Sequence, residues 1–577
     1  MKIILESGRP CYLIINNDMK KHILLILVIL LSACKSEQES KKVEVILWIP
    51  YNDSIEVAAN NNHENGRMQY KLIQSKVLDK NEVFAPLYDE VSKLTESEYQ
   101  KLIPLVLEQD IFTIRNHIKE DRLTYENLVL FYLYRIYKYE LNNATTLNTV
   151  IALNKDVVEQ ARELDKQNQM GVATQIQHPI FGMPILLKDN INTLGMKTTA
   201  GSIALMDNEV DDSFIVQQLK KNGALILGKV NLSEWAYFLC SGCPVGYSAY
   251  GGQTLNPYGR RIFETGGSSS GSGTAVSANY AVAAVGTETS GSILSPSSQN
   301  SVVGLKPTIG LLSRSGIVPI SSTLDTPGPM TKNVKDNAIL LSAMLGYDKL
   351  DSASVEDNYP GILSAGIHPK VFSEIKLGAI KDLMETDSIY KETVQNLKEA
   401  GATIIEFTPP EVSMDGFLSI LNIDMRNDLK TYLKEYANPD VIKVTSIEDA
   451  VAFNNADSLV RIPYGQALFE GILTDSTTTI ELEQIKNNLE KNGRSFFDAA
   501  INAYNLDAVI SINNYHAGYA AVAKYPALTV PMGYKPSGEP ISLTFIGKQF
   551  SEASLLQIGK AYEEKFPNRI IPSDYQN

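Results

Sequence analysis

Residues 266–305 read GGSSSGSGTAVSANYAVAAVGTETSGSILSPSSQNSVVGL. Serine and glycine dominate this ribbon, although both residues bury little apolar surface and add little to a hydrophobic core. Glycine lets backbone N–H groups approach a ligand closely, and serine supplies hydroxyl groups. The ribbon therefore predicts a catalytic site, in which one serine attacks a substrate and another group activates it.

Length and charge restrict the class of protein. With 577 residues, 44% of them hydrophobic, the chain can bury at least one large core, and we expect one large catalytic domain with attachments. The formal net charge of -14 argues against a nucleic-acid partner, because that interaction needs clustered lysine and arginine.

Apolar runs and helical patterns alternate after Pro179. Strands are predicted at Pro184–Leu187, Ala224–Leu227, Leu377–Ile380 and Thr403–Phe407, and helices at Ser213–Asn222 and near Ile389–Glu399. Helical periodicity precedes them from Thr95, with Glu98 completing a capping box, to Ala161. This alternation predicts an α/β fold.

The N-terminal region has the pattern of an export signal. Met19-Lys20-Lys21 precedes the apolar run Ile23–Leu31, which is too short to span a bilayer, and Leu31-Ser32-Ala33-Cys34 follows. The last four residues resemble the lipobox of bacterial lipoproteins, which implies cleavage before Cys34 and acylation of that cysteine. We expect an exported lipoprotein, anchored in a membrane and facing the periplasm or the cell surface; an ordinary secretory signal is the alternative.

These features divide the chain into four parts. They are residues 1–33, upstream residues plus a signal peptide that starts at Met19; 34–42, a polar tether; 43–90, a small strand-containing extension; and 91–577, the catalytic domain. Two cysteines remain in the last part, Cys240 and Cys243. Their C-x-x-C spacing matches redox motifs, but an exported compartment permits a disulfide, and we favour a structural disulfide or two idle thiols over redox chemistry. No second ligand pair for zinc is evident.

One possible nucleophile is Ser269, which lies in a formal G-x-S-x-G motif. Asp507 and His516 could complete a Ser-His-Asp triad in the required chain order. The context is poor, however, because residues 260–265 make an unconvincing strand before the motif. A phosphate-binding loop is disfavoured as well, since no G-K-[ST] follows the glycines.

A lysine-based arrangement accounts for more of the chain. Lys188 directly follows four apolar residues, where desolvation would lower its pKa. In GMPILLKDNI, GGSSSGSG and GTETSGSI, together with TTAGS at 198–202, VVGLKPTIG at 302–310 and DTPGPM at 325–330, the chain resembles the amidase signature family from about Thr95 to Glu564. The resemblance implies that family's fold, a large mixed β-sheet core covered by helices on both sides, with the signature core at about residues 180–345.

The resemblance also implies a catalytic triad that needs no metal or other cofactor. Lys188 would be the base, Ser268 a bridging serine and Ser292 the nucleophile, with a cis peptide bond between Gly267 and Ser268. An oxyanion hole would be formed by the backbone N–H groups of Thr289, Ser290, Gly291 and Ser292. The other ribbon serines have structural interpretations: Ser269, Ser270 and Ser272 bonding local backbone before a helix that begins near Thr274, and Ser295, Ser297 and Ser298 in a loop.

Glu288 and Ser290 depart from the commonest family pattern, which has Asp and Gly there. The variant resembles the peptide amidase branch, which implies a peptide C-terminal amide or a small linear amide as substrate and no obligate protein partner. Aryl or fatty acyl amides are alternatives. The amidotransferase member of the family shares the signature but works in the cytosol within a protein complex. A lipid-anchored solute-binding protein is the alternative from another class, and it would not need Lys188, Ser268 and Ser292 together.

Overall fold

The computed structural model describes residues 46–170, 177–356 and 361–577. Residues 47–577 form one compact unit. The predicted signal peptide, Cys34 and the tether at 34–42 lie outside the described residues. No helix within the described ranges is both long and apolar enough to cross a bilayer.

The centre of the unit is a mixed β-sheet. The strands are β1 Val150–Leu153, β2 Pro184–Lys188, β3 Leu225–Val230, β4 Tyr247–Ser248, β5 Gly252–Gln253, β6 Ala283–Glu288, β7 Val303–Lys306, β8 Thr326–Thr331, β9 Lys376–Ile380, β10 Thr403–Phe407, β11 Ala508–Ile512, β12 Ala527–Tyr534 and β13 Pro540–Ile546. Eleven of these described strands form one sheet in the order β1-β3-β2-β6-β8-β7-β12-β13-β11-β9-β10, and β4 pairs with β5.

Helices flank this sheet. They are Ser54–Ala59, Lys80–Phe84, Tyr88–Val91, Glu96–Val106, Ile111–Lys119, Tyr125–Glu140, Val157–Gln169, Phe214–Lys221, Ser270–Ser277, Leu294–Gln299, Val334–Met344, Ile362–Ala365, Lys381–Thr386, Ser388–Glu399, Phe417–Glu435, Ile447–Asn455, Ser458–Arg461, Ala467–Thr474, Thr479–Tyr504, Ala517–Val522 and Glu552–Lys565. Short 3-10 helices lie at Gly66–Met68, Ala85–Leu87, Ile203–Leu205, Phe372–Glu374 and Ser573–Tyr575.

The part of the sheet that matters for the site is parallel. β2 pairs in parallel with β3 on one side and with β6 on the other. Every residue of these three strands is buried, as expected where both faces of a sheet are covered. The carboxyl ends of β2 and β6 therefore meet at one edge, where Lys188 ends one strand and Glu288 ends the other. The predicted α/β fold is confirmed.

Local predictions had mixed outcomes. The capping box is confirmed, since Thr95 N–H donates to Glu98 Oε2 and Glu98 N–H to Thr95 Oγ1. Strands in the segment 43–84 were a wrong prediction for its described part, which contains short helices. Asn65 and Asp79 accept hydrogen bonds from N–H groups at the start of two of them. Side-chain caps of this kind start helices, so they outweigh the apolar alternation.

Two predictions about the ribbon were also wrong in detail. The first ribbon helix begins at Ser270 and not near Thr274. Ser295, Ser297 and Ser298 lie in the helix Leu294–Gln299 and not in a loop. That helix forms because the Glu288 carboxylate accepts hydrogen bonds from backbone N–H groups at its start, where a negative charge is favourable.

Candidate active site

Lys188 is buried at the carboxyl end of β2. Its Nζ donates to Ser268 Oγ at 2.8 Å, to Thr287 Oγ1 at 2.8 Å and to the Thr287 carbonyl at 3.1 Å. Burial lowers the pKa of this lysine to about 7, against the opposing effect of the negative charges on Asp325 and Glu288. A substantial fraction of Lys188 is therefore a neutral amine near pH 7, as a proton acceptor must be.

Ser268 is held between two neighbouring segments. The peptide bond between Gly267 and Ser268 is cis, in agreement with the sequence-based expectation. The Ser268 carbonyl accepts from Ser233 N–H at 3.0 Å, and Ser269 N–H donates to the Ser292 carbonyl at 3.2 Å. These contacts bring the start of the ribbon against the loop that contains Ser292. The Ser292 residue itself is 8% exposed.

The hydroxyls of Ser268 and Ser292 are not joined by a hydrogen bond among the described residues. Catalytic hydrogen bonds are often long before substrate binds and tighten in the complex. The structure thus brings Lys188 and Ser268 into direct contact and places Ser292 on the adjoining loop. The roles assigned to the three residues stay predictions.

The loop around Ser292 has a defined shape. Gly291 has φ +87°, a conformation that favours glycine, and a Cβ there would come 3.0 Å from Asn514 Nδ2. The Glu288 carboxylate accepts from Ile293 N–H at 2.7 Å and Leu294 N–H at 2.9 Å. Burial raises the pKa of Glu288, whereas Lys306 and nearby backbone N–H groups, that of Gly291 among them, lower it.

Asp325 connects this loop to the opposite wall of the site. Its Oδ1 accepts from Thr289 Oγ1 at 2.5 Å, and its Oδ2 accepts from the N–H groups of Ile320 and Ser321 at 2.8 and 2.9 Å. Burial raises the pKa of this carboxyl group, and these hydrogen bonds oppose the shift. The oxyanion-hole role of the N–H groups of Thr289, Ser290, Gly291 and Ser292 stays a prediction.

The residues of the alternative Ser-His-Asp triad are not brought together. Ser269 Oγ is bonded to the Thr287 backbone, with 3.0 Å to the carbonyl and 3.2 Å from the N–H. Asp507 pairs with Lys370 at 2.6 Å, and His516 Nδ1 contacts Ser511 Oγ at 2.6 Å. Each group is thus engaged elsewhere.

The neighbouring ribbon serines bond backbone, but only one does so locally. Ser270 Oγ donates to the Gly266 carbonyl at 2.6 Å, as predicted. Ser272 Oγ donates instead to the Val285 carbonyl on β6, at 3.1 Å. Ser269 and Ser272 therefore attach the start of the ribbon helix to β6, which is a structural role.

Sequence reasoning missed two groups beside Lys188. Thr287 accepts hydrogen bonds from Lys188 Nζ, and Asp189 forms a fully buried ion pair with Lys229 at 3.0 Å. Asp189 also accepts from the Thr199 hydroxyl. Lys229 interrupts an otherwise apolar strand pattern, and this was the signal that could have revealed the pair, because an unpaired charge is rarely buried.

A cavity of about 260 Å³ lies beside the candidate site, and Thr287, Thr289 and Asp325 are among its lining residues. The segment 314–322 and the helix Phe417–Glu435 supply much of its wall. A cavity of this size, next to the loop that carries the candidate nucleophile, can hold a small substrate.

The remaining sequence predictions concern cysteines and metals. Cys240 and Cys243 form a disulfide, which is one of the two favoured alternatives. In the described part of the chain, no group of three or more His, Cys, Asp or Glu residues is arranged to hold a metal ion.

Several known proteins are similar to this chain in sequence. A family model described as Amidase matches residues 127–556. A protein named "Probable amidase" from Arabidopsis thaliana is 37% identical over 482 residues, 80% of this chain and 90% of the relative. A putative amidase from Schizosaccharomyces pombe is 30% identical over 522 residues, 80% of this chain and 86% of that protein.

Two solved structures extend the comparison. An amidase family protein from Bacillus anthracis has a TM-score of 0.79 at 36% identity, covering 87% of this chain and 100% of its own. The native peptide amidase from Stenotrophomonas maltophilia has a TM-score of 0.74 at 34% identity, covering 81% of this chain and 98% of its own.

Proposed function

The chain belongs to the amidase family, and from this premise we propose that it hydrolyses a carboxamide through an acyl-enzyme formed on Ser292. Membership makes it a hydrolase of amide C–N bonds, which excludes the solute-binding alternative. The observation that carries the finer proposal is the buried contact between Lys188 Nζ and Ser268 Oγ, at the edge of the sheet where the loop of Ser292 begins.

In the proposed mechanism, neutral Lys188 accepts the Ser268 proton, and Ser268 accepts the proton of Ser292. Ser292 Oγ then bonds to the amide carbon, and backbone N–H groups of residues 289–292 stabilise the oxygen that becomes negative. The C–N bond breaks as the leaving amine takes the relayed proton. Water next attacks the ester, which releases the acid and restores the Ser292 hydroxyl.

We propose a peptide C-terminal amide or a small linear amide as the substrate. Two observations support this choice: the variant loop GTETSGSI with Glu288 and Ser290, and the similarity to a solved peptide amidase. A primary amide releases only ammonia, so the cavity beside Thr289 would hold the acyl part.

The proposal is tested with the purified protein, Nα-acetyl-phenylalaninamide and the matching anilide. We expect faster release of ammonia than of aniline, and a loss of at least about 10³-fold for Ser292→Ala, since the attacking group is removed. Hydroxylamine should divert the acyl group to a hydroxamate if the ester on Ser292 forms.

Ser269→Ala is the matched control, because it removes a neighbouring hydroxyl that is bonded to β6. It should retain far more activity than Ser292→Ala. Turnover that survives in Ser292→Ala but is lost in Ser269→Ala would refute the assignment. Preference for the anilide would instead favour the aryl amide alternative.

A further inference from the structure

The charged groups that line the cavity differ in how well they are neutralised. Arg314 is matched to Asp351, with Nε to Oδ2 at 2.9 Å and Nη2 to Oδ1 at 2.5 Å. Its charge also attracts Asp428 at longer range, yet its hydrogen bonds go to Asp351 and the Ser322 carbonyl. Asp325 is surrounded by three hydrogen-bond donors. Arg314, the cationic side chain among the described residues that line the cavity, is therefore already paired with a carboxylate.

Asp428 has no such partner. It lies on the helix Phe417–Glu435, lines the cavity, and its Oδ2 accepts from Ser322 N–H at 2.6 Å. Within the described residues it forms no ion pair. One turn earlier on the same helix, Asp424 is paired with Lys486 at 3.0 Å, so the helix carries both a neutralised and an unneutralised carboxylate.

The same face of the helix adds aromatic surface. Thr431, Tyr432 and Glu435 follow Asp428 at helical spacing, and all of them line the cavity together with Tyr436. The rings of Tyr432 and Tyr436 stack with centroids 6.1 Å apart. Carboxylates combined with tyrosine rings are the groups that bind organic cations, through charge and through the face of the ring.

Asp428 is also connected to the candidate nucleophile loop. Ser322, which donates to Asp428, follows Ser321, which donates to Asp325, and Asp325 accepts from Thr289. A substrate whose carbonyl lies against Thr289 and whose acyl chain extends along the cavity wall would therefore reach Asp428.

We propose that this enzyme selects amides whose acyl part carries a positive charge, and that Asp428 is the specificity-determining residue that binds this charge. The inference rests on the proposed function, in which the acyl part of the substrate lies in this cavity. Burial and the neighbouring carboxylates Asp424 and Asp325 raise the pKa of Asp428 to about 6, so it is mostly ionised at pH 7.5. Asp428 therefore carries its negative charge at pH 7.5, the pH of the proposed assay.

Three probes separate charge from size: the Nα-acetyl derivatives of lysinamide, norleucinamide and glutamic acid α-amide. Lysine and norleucine side chains have similar length and differ in charge. At pH 7.5 we expect kcat/KM to be at least about tenfold higher for lysinamide than for norleucinamide, and lowest for the anionic amide, because a close charge pair contributes about 1.4 kcal/mol or more.

Asp428→Asn removes the charge and keeps an oxygen for Ser322 N–H. It should lower the preference for lysinamide by about tenfold and leave norleucinamide hydrolysis nearly unchanged. Asp440→Asn, at an exposed position that does not line the cavity, is the matched control and should leave all three rates unchanged. Added salt should reduce the wild-type preference but not that of Asp428→Asn.

Hydrolysis of norleucinamide as fast as lysinamide by the wild-type enzyme would overturn the inference while leaving amide hydrolysis on Ser292 intact. A preference for lysinamide that persists in Asp428→Asn would also overturn it. If none of the three amides is hydrolysed, both this inference and the proposed function fail.

Discussion

At the scale of single residues, the environment of Lys188 decides what its side chain can do. Lys188 is the buried last residue of β2, which pairs with β6. Its Nζ donates hydrogen bonds to the hydroxyls of Ser268 and Thr287 and to the Thr287 carbonyl. Most lysines in proteins are permanently charged and cannot accept a proton near neutral pH. Desolvation removes that obstacle here, and in the proposed mechanism the hydroxyl of Ser268 passes the proton on from Ser292 to Lys188.

Activity should depend on pH through this group. Because the pKa of Lys188 is lowered to about 7, the ammonium form dominates below pH 7 and the active amine above it. We expect kcat/KM to rise about tenfold between pH 6 and pH 8 and then to level off. The measurement is a pH profile for an uncharged amide, with which charge recognition at Asp428 does not interfere.

Lys188→Met keeps the apolar length of the side chain and removes the amine, so it should abolish turnover at every pH. A profile that is flat from pH 6 to pH 8, under conditions where the chemical step limits the rate, would contradict the role of Lys188 as base.

At the scale of elements, the candidate nucleophile loop is shaped by its neighbours. Gly291 has positive φ, and Asn514, from the loop after β11, occupies the space that a side chain would need. Glu288 ties the far end of the loop to the helix Leu294–Gln299. The orientation of backbone N–H groups 289–292 thus depends on segments more than two hundred residues apart in sequence.

Gly291→Ala should disturb this orientation. Alanine is strained at φ +87°, and its Cβ would come 3.0 Å from Asn514 Nδ2, so the loop must shift. We expect kcat to fall by about 10²-fold or more, as when one oxyanion donor is lost, with a smaller change in KM. Steady-state kinetics with one uncharged amide would measure both.

Gly471→Ala is the matched control, because a Cβ there meets nothing within 4 Å and the residue lies in the helix Ala467–Thr474. This variant should retain activity and gain about 0.5–1 kcal/mol of stability towards urea. Equal losses of kcat in both variants would show that Gly291 has no special role.

At the scale of the whole molecule, the sequence was informative where chemistry is local. Lys188 follows an apolar run, and both candidate serines lie in distinctive small-residue motifs, so the sequence could predict the α/β fold and indicate the candidate site. Asp325 and Asp428 could not be placed in the same way. Asp325 begins the DTPGPM motif, but the motif alone does not say what its carboxylate contacts, and Asp428 is a single carboxylate on a helix without a sequence signature. Both line the cavity from segments that only the folded chain brings near Thr289.

The largest sequence-based prediction outside the folded unit is the lipid anchor, and we propose that the mature protein begins at Cys34 and is attached to a membrane. The basic start at Met19, the apolar run Ile23–Leu31 and the lipobox support it. Cys34→Ser removes the thiol that would be acylated, so the protein should move from the membrane fraction to the soluble fraction in fractionated bacterial cells.

Cys11→Ser is the control for that experiment. Cys11 lies upstream of Met19, where the signal peptide is predicted to start, so its substitution should not affect attachment. We expect tethering to affect only location. The candidate catalytic groups all lie between Lys188 and Ser292, so the released Cys34→Ser variant should hydrolyse amides at the wild-type rate. Membrane attachment that survives the substitution would refute the anchor. Loss of activity together with attachment would mean that the N-terminal segment also supports the fold.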